Sequence, residues 1–82
     1  MATLRLFAAA REAAATSVET IIASTVGAVL TEAGARHGAQ FVTVLGQCRV
    51  WVNGEPADLD TPVADSDEIA VLPPVSGGSG PR

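Results

Sequence analysis

The chain has no lysine among its 82 residues, so every basic side chain in it is an arginine, five in all against nine acids, for a net charge of −4. Proteins that hold nucleic acid need a basic face to neutralise phosphates, and five arginines scattered from Arg5 to Arg82 do not build one. No nucleic-acid partner is expected. The missing lysine has a second consequence: the chain offers no side-chain ammonium that could take an isopeptide bond from another copy of itself, leaving only the α-amino group. Cysteine is almost absent too. With Cys48 alone, no intramolecular disulfide and no cysteine-based zinc site can form, and a reducing cytoplasm is the expected compartment. His37 has no second histidine with which to share a metal, so no metal site is expected, and its natural role is a favourable contact at a helix C-terminus. No apolar run is long enough to span a bilayer. Arg11 and Glu12 interrupt the alanine-rich start before it reaches the length of an export signal, so a soluble chain, unprocessed at this end and without a membrane partner, is expected.

What remains is one small domain. The hydrophobic fraction of 48% overstates its core, because fifteen of those residues are alanines that bury little area. About twenty Val, Leu and Ile side chains, each worth roughly 1.5 to 3 kcal/mol when buried, must carry the fold, and modest stability is expected.

Thr3 to Ala8 alternates, with Leu4, Leu6 and Ala8 on one side and Thr3, Arg5 and Phe7 on the other, and predicts a strand with one core face. Ala9 to Ala15 has helical propensity but is short. The β-branched run Thr16 to Ile22 predicts an antiparallel return strand. Ser24 or Thr25 can cap a helix whose apolar stripe is Val26, Val29, Leu30 and Ala33, with Gly38 as a left-handed stop. Gly27 and Gly34 weaken that helix by roughly 1 kcal/mol each relative to alanine. Gln40 to Gly46 is apolar without a clean period and stays unassigned. Arg49 to Asn53 alternates again, Val50 and Val52 opposite Trp51, and Asn53-Gly54 is a tight-turn signal into a short strand. Asp58 to Asp67 reads as solvated loop, and Asp65, Asp67 and Glu68 as a solvated turn without catalysis. Cys48 opens a strand, and burial as a small apolar group is its default.

The last apolar run, Ile69-Ala70-Val71-Leu72, is followed by residues that cannot continue a strand. Pro73 and Pro74 end the ladder and hold the chain extended, and Gly77 and Gly78 strip the tip of side chains. A thin peptide arm is expected, able to enter a channel too narrow for side chains. Residues 1–75 are read as a single domain and 76–82 as a Gly/Ser-rich tail.

Leu72-Pro73-Pro74-Val75-Ser76-Gly77-Gly78, preceded by Asp65-Ser66-Asp67-Glu68-Ile69-Ala70-Val71, resembles the end of the small, sulfur-carrying subunit of molybdopterin synthase. Leu6-Phe7-Ala8-Ala9-Ala10-Arg11-Glu12 and Val52-Asn53-Gly54-Glu55 match the same family in order and spacing. The resemblance implies an α+β fold of the β-grasp, ubiquitin-like kind: a mixed sheet with one main helix packed across one face, the first and last strands being parallel neighbours at its centre. It implies a protein without activity alone, whose terminal glycine is adenylated by a ubiquitin-activating-like partner using ATP and converted to a thiocarboxylate. That end then enters the large synthase subunit and gives sulfur to a cyclic pyranopterin precursor of the molybdenum cofactor. On this chain the reactive residue is Gly78, and Pro74, Val75, Ser76 and Gly77 are the inserted arm. Phe7, Arg11, Leu59 and Leu72 are the implied docking residues, with Phe7 and Leu72 as an exposed apolar patch at the root of the arm. No cofactor is expected on the chain itself.

One departure matters. In that family the second glycine ends the chain, whereas here Ser79-Gly80-Pro81-Arg82 follow it. A free carboxyl on Gly78 requires a processing protease. The competing readings are a sulfur carrier for thiamine or cysteine synthesis, and an interaction module whose tail stays blocked.

Overall fold

The structure is a computed structural model that describes residues 1–73, so the expected boundary at residue 75 and the tail lie outside the described residues. A five-stranded mixed sheet carries the fold, in the order β2-β1-β5-β3-β4. β1 (Ala2–Leu6) and β5 (Glu68–Leu72) are parallel neighbours at its centre, with β2 (Val18–Ile21) antiparallel outside β1. On the other side β3 (Arg49–Val52) runs antiparallel to β5 and hairpins into β4 (Glu55–Pro56). This is the β-grasp architecture.

Strand alternation builds the core in rows. Leu6, Val71 and Val50 stand in register across three strands, as do Leu4, Ile69 and Val52. Leu4, Leu6, Ile69 and Val71 are fully buried, and Val50 and Val52 pack half-buried against them. Helix α2 (Val26–His37) closes this face: Val26, Val29 and Ala33 are buried, as the spacing predicts, and Leu30 is half-buried. Thr25 is its N-cap, the side-chain oxygen accepting from Ala28 N at 3.1 Å and satisfying a free donor of the first turn.

Two further helices flank the main one. α1 (Ala8–Ala14) replaces the last residues of the first predicted strand, because Ala8 takes φ 52° and turns the chain out of the sheet after Leu6. Such a left-handed alanine costs about 1–2 kcal/mol. Ala15 takes the same region at the other end, its N–H donating to Arg11 O at 2.9 Å. The unassigned segment forms α3 (Ala39–Leu45), which puts Phe41 wholly inside the core. Gly38 ends α2 and starts α3 in one step, and its φ of 95° with ψ of −175° is a glycine-only conformation rather than the expected left-handed helical stop. Gly34 lets the two helices approach closely, since a Cβ there would lie 2.8 Å from Val42 Cγ2.

Replacing Phe41 by alanine removes the largest fully buried side chain. An expected loss of about 3–5 kcal/mol is a large part of the total stability of so small a domain, and chemical denaturation measures it.

Candidate partner-docking face

The sheet face away from α2 is open, and strand parity decides what stands on it. Because Val71 is buried, Leu72 points to the open side; it pairs with Arg49, while Leu6 pairs with Val71 one step earlier in β1. Phe7 follows Leu6 in extended conformation at the N-cap of α1 and is 41% exposed. Phe7, Leu72 and Arg49 thus stand together where β5 ends. The next row across the open face is Val18, Arg5, Ala70, Trp51 and Pro56, each paired with its neighbour in the ladder. Trp51 and Ala70 are half-buried, so apolar surface runs from Ala70 through Trp51 to Pro56 beside the root of the tail, and Val18, 45% exposed, lies beyond the ion-paired Arg5. Contiguous apolar surface on a small domain marks a site of contact with another molecule.

The predicted site residues fall into three groups. Phe7 and Leu72 are brought together. Arg11 sits in α1, exposed, one helical turn past Phe7, its N–H reaching Phe7 O at 3.4 Å. Leu59 comes from the loop after β4: its backbone oxygen accepts from Gly27 N at 2.9 Å at the start of α2, and the residue is 59% exposed. It borders a depression of about 360 Å³ shared with Arg49 and Trp51, and a groove between α2 and α3. Pro74, Val75, Ser76, Gly77 and Gly78 lie outside the described residues. Sequence reasoning missed Pro56, Arg49 and Val18 as members of the open face. Their signal was the register of β3 with β5 and of β2 with β1, which strand parity alone does not supply.

Electrostatics at the opposite end of β5 secure the strand. Asn53 and Gly54 both take positive φ, 51° and 85°, the pair of left-handed residues that a two-residue hairpin turn requires. Asn53 then bonds across to β5: its N–H donates to Glu68 O at 2.8 Å, its side-chain oxygen accepts from Glu68 N at 2.9 Å, and its amide donates to Asp67 Oδ1 at 2.9 Å. Asp67 Oδ2 also accepts from Ala64 N at 2.8 Å. The Asn53 amide, and after it the Ala64 N–H, hold the Asp67 carboxyl below its usual value. Glu68 pairs with Arg5 at 2.6 Å and Asp65 with the N-terminal ammonium at 2.8 Å. The acidic cluster is therefore a structural turn.

Elsewhere, Glu19 on β2 receives both His37 Nε2 at 2.7 Å and Arg36 Nη1 at 3.2 Å, tying the end of α2 to the sheet edge. Burial pushes the Cys48 thiol up, and its Sγ lies 3.2 Å from Val44 O. Among the described residues no group of three His, Cys, Asp or Glu side chains is placed to hold a metal ion, and no helix is long and apolar enough to cross a membrane.

A helix grasped by this five-stranded sheet, with an apolar face at the end of the central strand, defines the class of ubiquitin-like β-grasp proteins. The chain belongs to the ThiS family, whose model matches residues 4–78, and so to the ThiS-type group of small sulfur carriers and ubiquitin-like modifiers. Among solved structures, small archaeal modifier protein SAMP1 from Haloferax volcanii is similar at 33% identity and a TM-score of 0.80, covering 94% of this chain and 98% of that one. A putative molybdopterin converting factor subunit 1 from Pyrococcus furiosus is 25% identical, with a TM-score of 0.80 over 90% of this chain and 97% of that one. A chain in the complex of subunits 1 and 2 of molybdopterin-converting factor from Helicobacter pylori is 30% identical, with a TM-score of 0.65 over 94% and 97%. A comparison with curated proteins finds no match.

Two outcomes follow from this geometry. Phe7→Ala should cost about 1–2 kcal/mol in chemical denaturation, because a residue 41% exposed has only part of the burial of a core ring to lose; a loss like that of a core phenylalanine would place Phe7 in the core instead. For Asp67, whose carboxyl is held low in the folded state, the stabilisation is present above the unfolded carboxyl value of about 3.9 and is lost as pH falls through the lower folded value. Asp67→Asn should flatten the acid limb of a stability-versus-pH profile, and should weaken the fold at neutral pH, since an amide cannot accept on both sides.

Proposed function

We propose that this protein is the small, sulfur-carrying subunit of a molybdopterin synthase. The observation that carries the reading is that Phe7 and Leu72 each follow directly on the last paired residues of the two central strands, Leu6 and Val71: the chain leaves the sheet beside apolar side chains, so a partner that covers them receives the tail. Two features support it. The family match runs on through Gly78, and the 30%-identical Helicobacter pylori chain comes from a complex of the two subunits of molybdopterin-converting factor.

The chemistry follows from the tail. A carboxylate is a poor electrophile, so an adenylating enzyme of the ubiquitin-activating kind uses ATP to make an acyl-adenylate on Gly78, releasing pyrophosphate. Hydrosulfide then attacks that carbonyl and AMP leaves, giving the thiocarboxylate with loss of a proton. Its sulfur is nucleophilic near neutral pH, and in the large synthase subunit it is passed to the pyranopterin precursor, with water restoring the Gly78 carboxylate. Pro74, Val75, Ser76 and Gly77 form the inserted arm, and Phe7, Leu72, Arg11 and Leu59 face the partners. A protease must first hydrolyse the Gly78–Ser79 bond, since Arg82 would not pass where glycine does. These steps suit the reducing cytoplasm, where a lone cysteine stays a thiol.

A second reading, a ubiquitin-like protein modifier, is favoured by the 33% identity to small archaeal modifier protein 1. Intact mass of the untagged protein from its own host decides whether the carrier chemistry operates. The expected chain ends at Gly78, with a fraction carrying sulfur in place of one carboxyl oxygen. If every molecule still ends at Arg82 while the cell is making molybdenum cofactor, the thiocarboxylate mechanism fails; Gly78 found joined to lysines of other proteins would establish the modifier.

A further inference from the structure

Charge changes sign along β5 on the open face. Where the strand starts, Asp65, Asp67 and Glu68 gather, two of them in ion pairs with the N-terminus and Arg5. Where it ends, Arg49 stands opposite Leu72, and Arg11 lies one turn past Phe7. Arg5 and Arg36 are held by carboxylates; Arg49 and Arg11 have none within 4.0 Å among the described residues. Glu12 is the acid next in sequence, but one position along α1 places it about 100° around the helix from Arg11. A chain of net charge −4 thus keeps two exposed, unmatched guanidiniums beside the apolar pair at the tail root.

Covering Phe7 and Leu72 brings a partner surface over both cations. A wholly apolar socket would desolvate them without recompense, whereas carboxylates at its edge would meet them with charge-assisted bonds.

We infer that Arg49 is a partner-selecting residue: together with Arg11 it brackets Phe7 and Leu72, and the protein that receives the tail carries carboxylates on the rim of an apolar socket. This rests on the carrier reading above. Rim charges act chiefly on encounter and discrimination, so the contribution is salt-sensitive and the apolar pair supplies the anchor.

The test titrates the 82-residue chain and, beside it, the same protein ending at Gly78, with the large molybdopterin synthase subunit of the same organism, at low and high ionic strength. Arg49→Glu should weaken binding about tenfold at low salt and Arg49→Gln about threefold, with both gaps shrinking in about 0.5 M salt, where screening reaches within a few ångströms. Leu72→Asp should abolish binding at both, with circular dichroism showing that each variant folds. If the wild type binds, Leu72→Asp does not, and Arg49→Glu binds as tightly as wild type at every salt concentration, the inference is overturned while the carrier reading stands. If neither wild-type form binds the subunit, the molybdopterin reading falls and takes this inference with it.

Discussion

The parallel pairing of β1 with β5 is the constraint on which the rest depends. Leu4 beside Ile69 and Leu6 beside Val71 set the two central rows of the core, and every other element packs around them. A one-residue slip of β5 against β1 would turn Ile69 and Val71 out of the core, so burial fixes the register tightly. The same register ends the two strands together, so that Phe7 follows Leu6 as Leu72 follows Val71. Core and docking face are thus two sides of a single choice, and the residues that expose the apolar patch are positioned by those that do not.

Much of this was legible because the relevant signals are local. Period two in Thr3 to Leu6 and Arg49 to Val52, period 3.6 in Val26 to Ala33, and the Asn53-Gly54 dipeptide each report on a few adjacent residues. α3 was not legible: Phe41, Val42, Val44 and Leu45 are spread around a short helix, and only Phe41 is fully buried, so no apolar stripe forms. The early end of β1 was hidden as well, since nothing about Ala8 announces a positive φ. The alternation of Thr3 to Ala8 therefore outruns the strand, which ends at Leu6, by two residues.

For the site, parity was enough to put Leu72 and Phe7 on the open face, but membership of that face across strands needed the ladder itself. Pro56 shows the gap. It joins the face only because it pairs with Trp51, and Trp51 pairs with Ala70. Leu59, by contrast, is placed by its backbone bond to Gly27, a contact between residues 32 positions apart that no local pattern encodes. Gly27 and Gly34 gain a role in the same way: what reads as weakness in an isolated helix is clearance for Leu59 on one side and Val42 on the other.

The central position of β5 also has a mechanical side. A load applied to the chain beyond Leu72 runs along the strand, and β5 is laddered on both flanks, to β1 and to β3. Its hydrogen bonds lie across the direction of such a load and are sheared as a group rather than peeled one at a time, as they would be at a sheet edge. Whatever grips the terminus therefore drags on a strand held on both sides, so traction at the tip moves the domain as one piece.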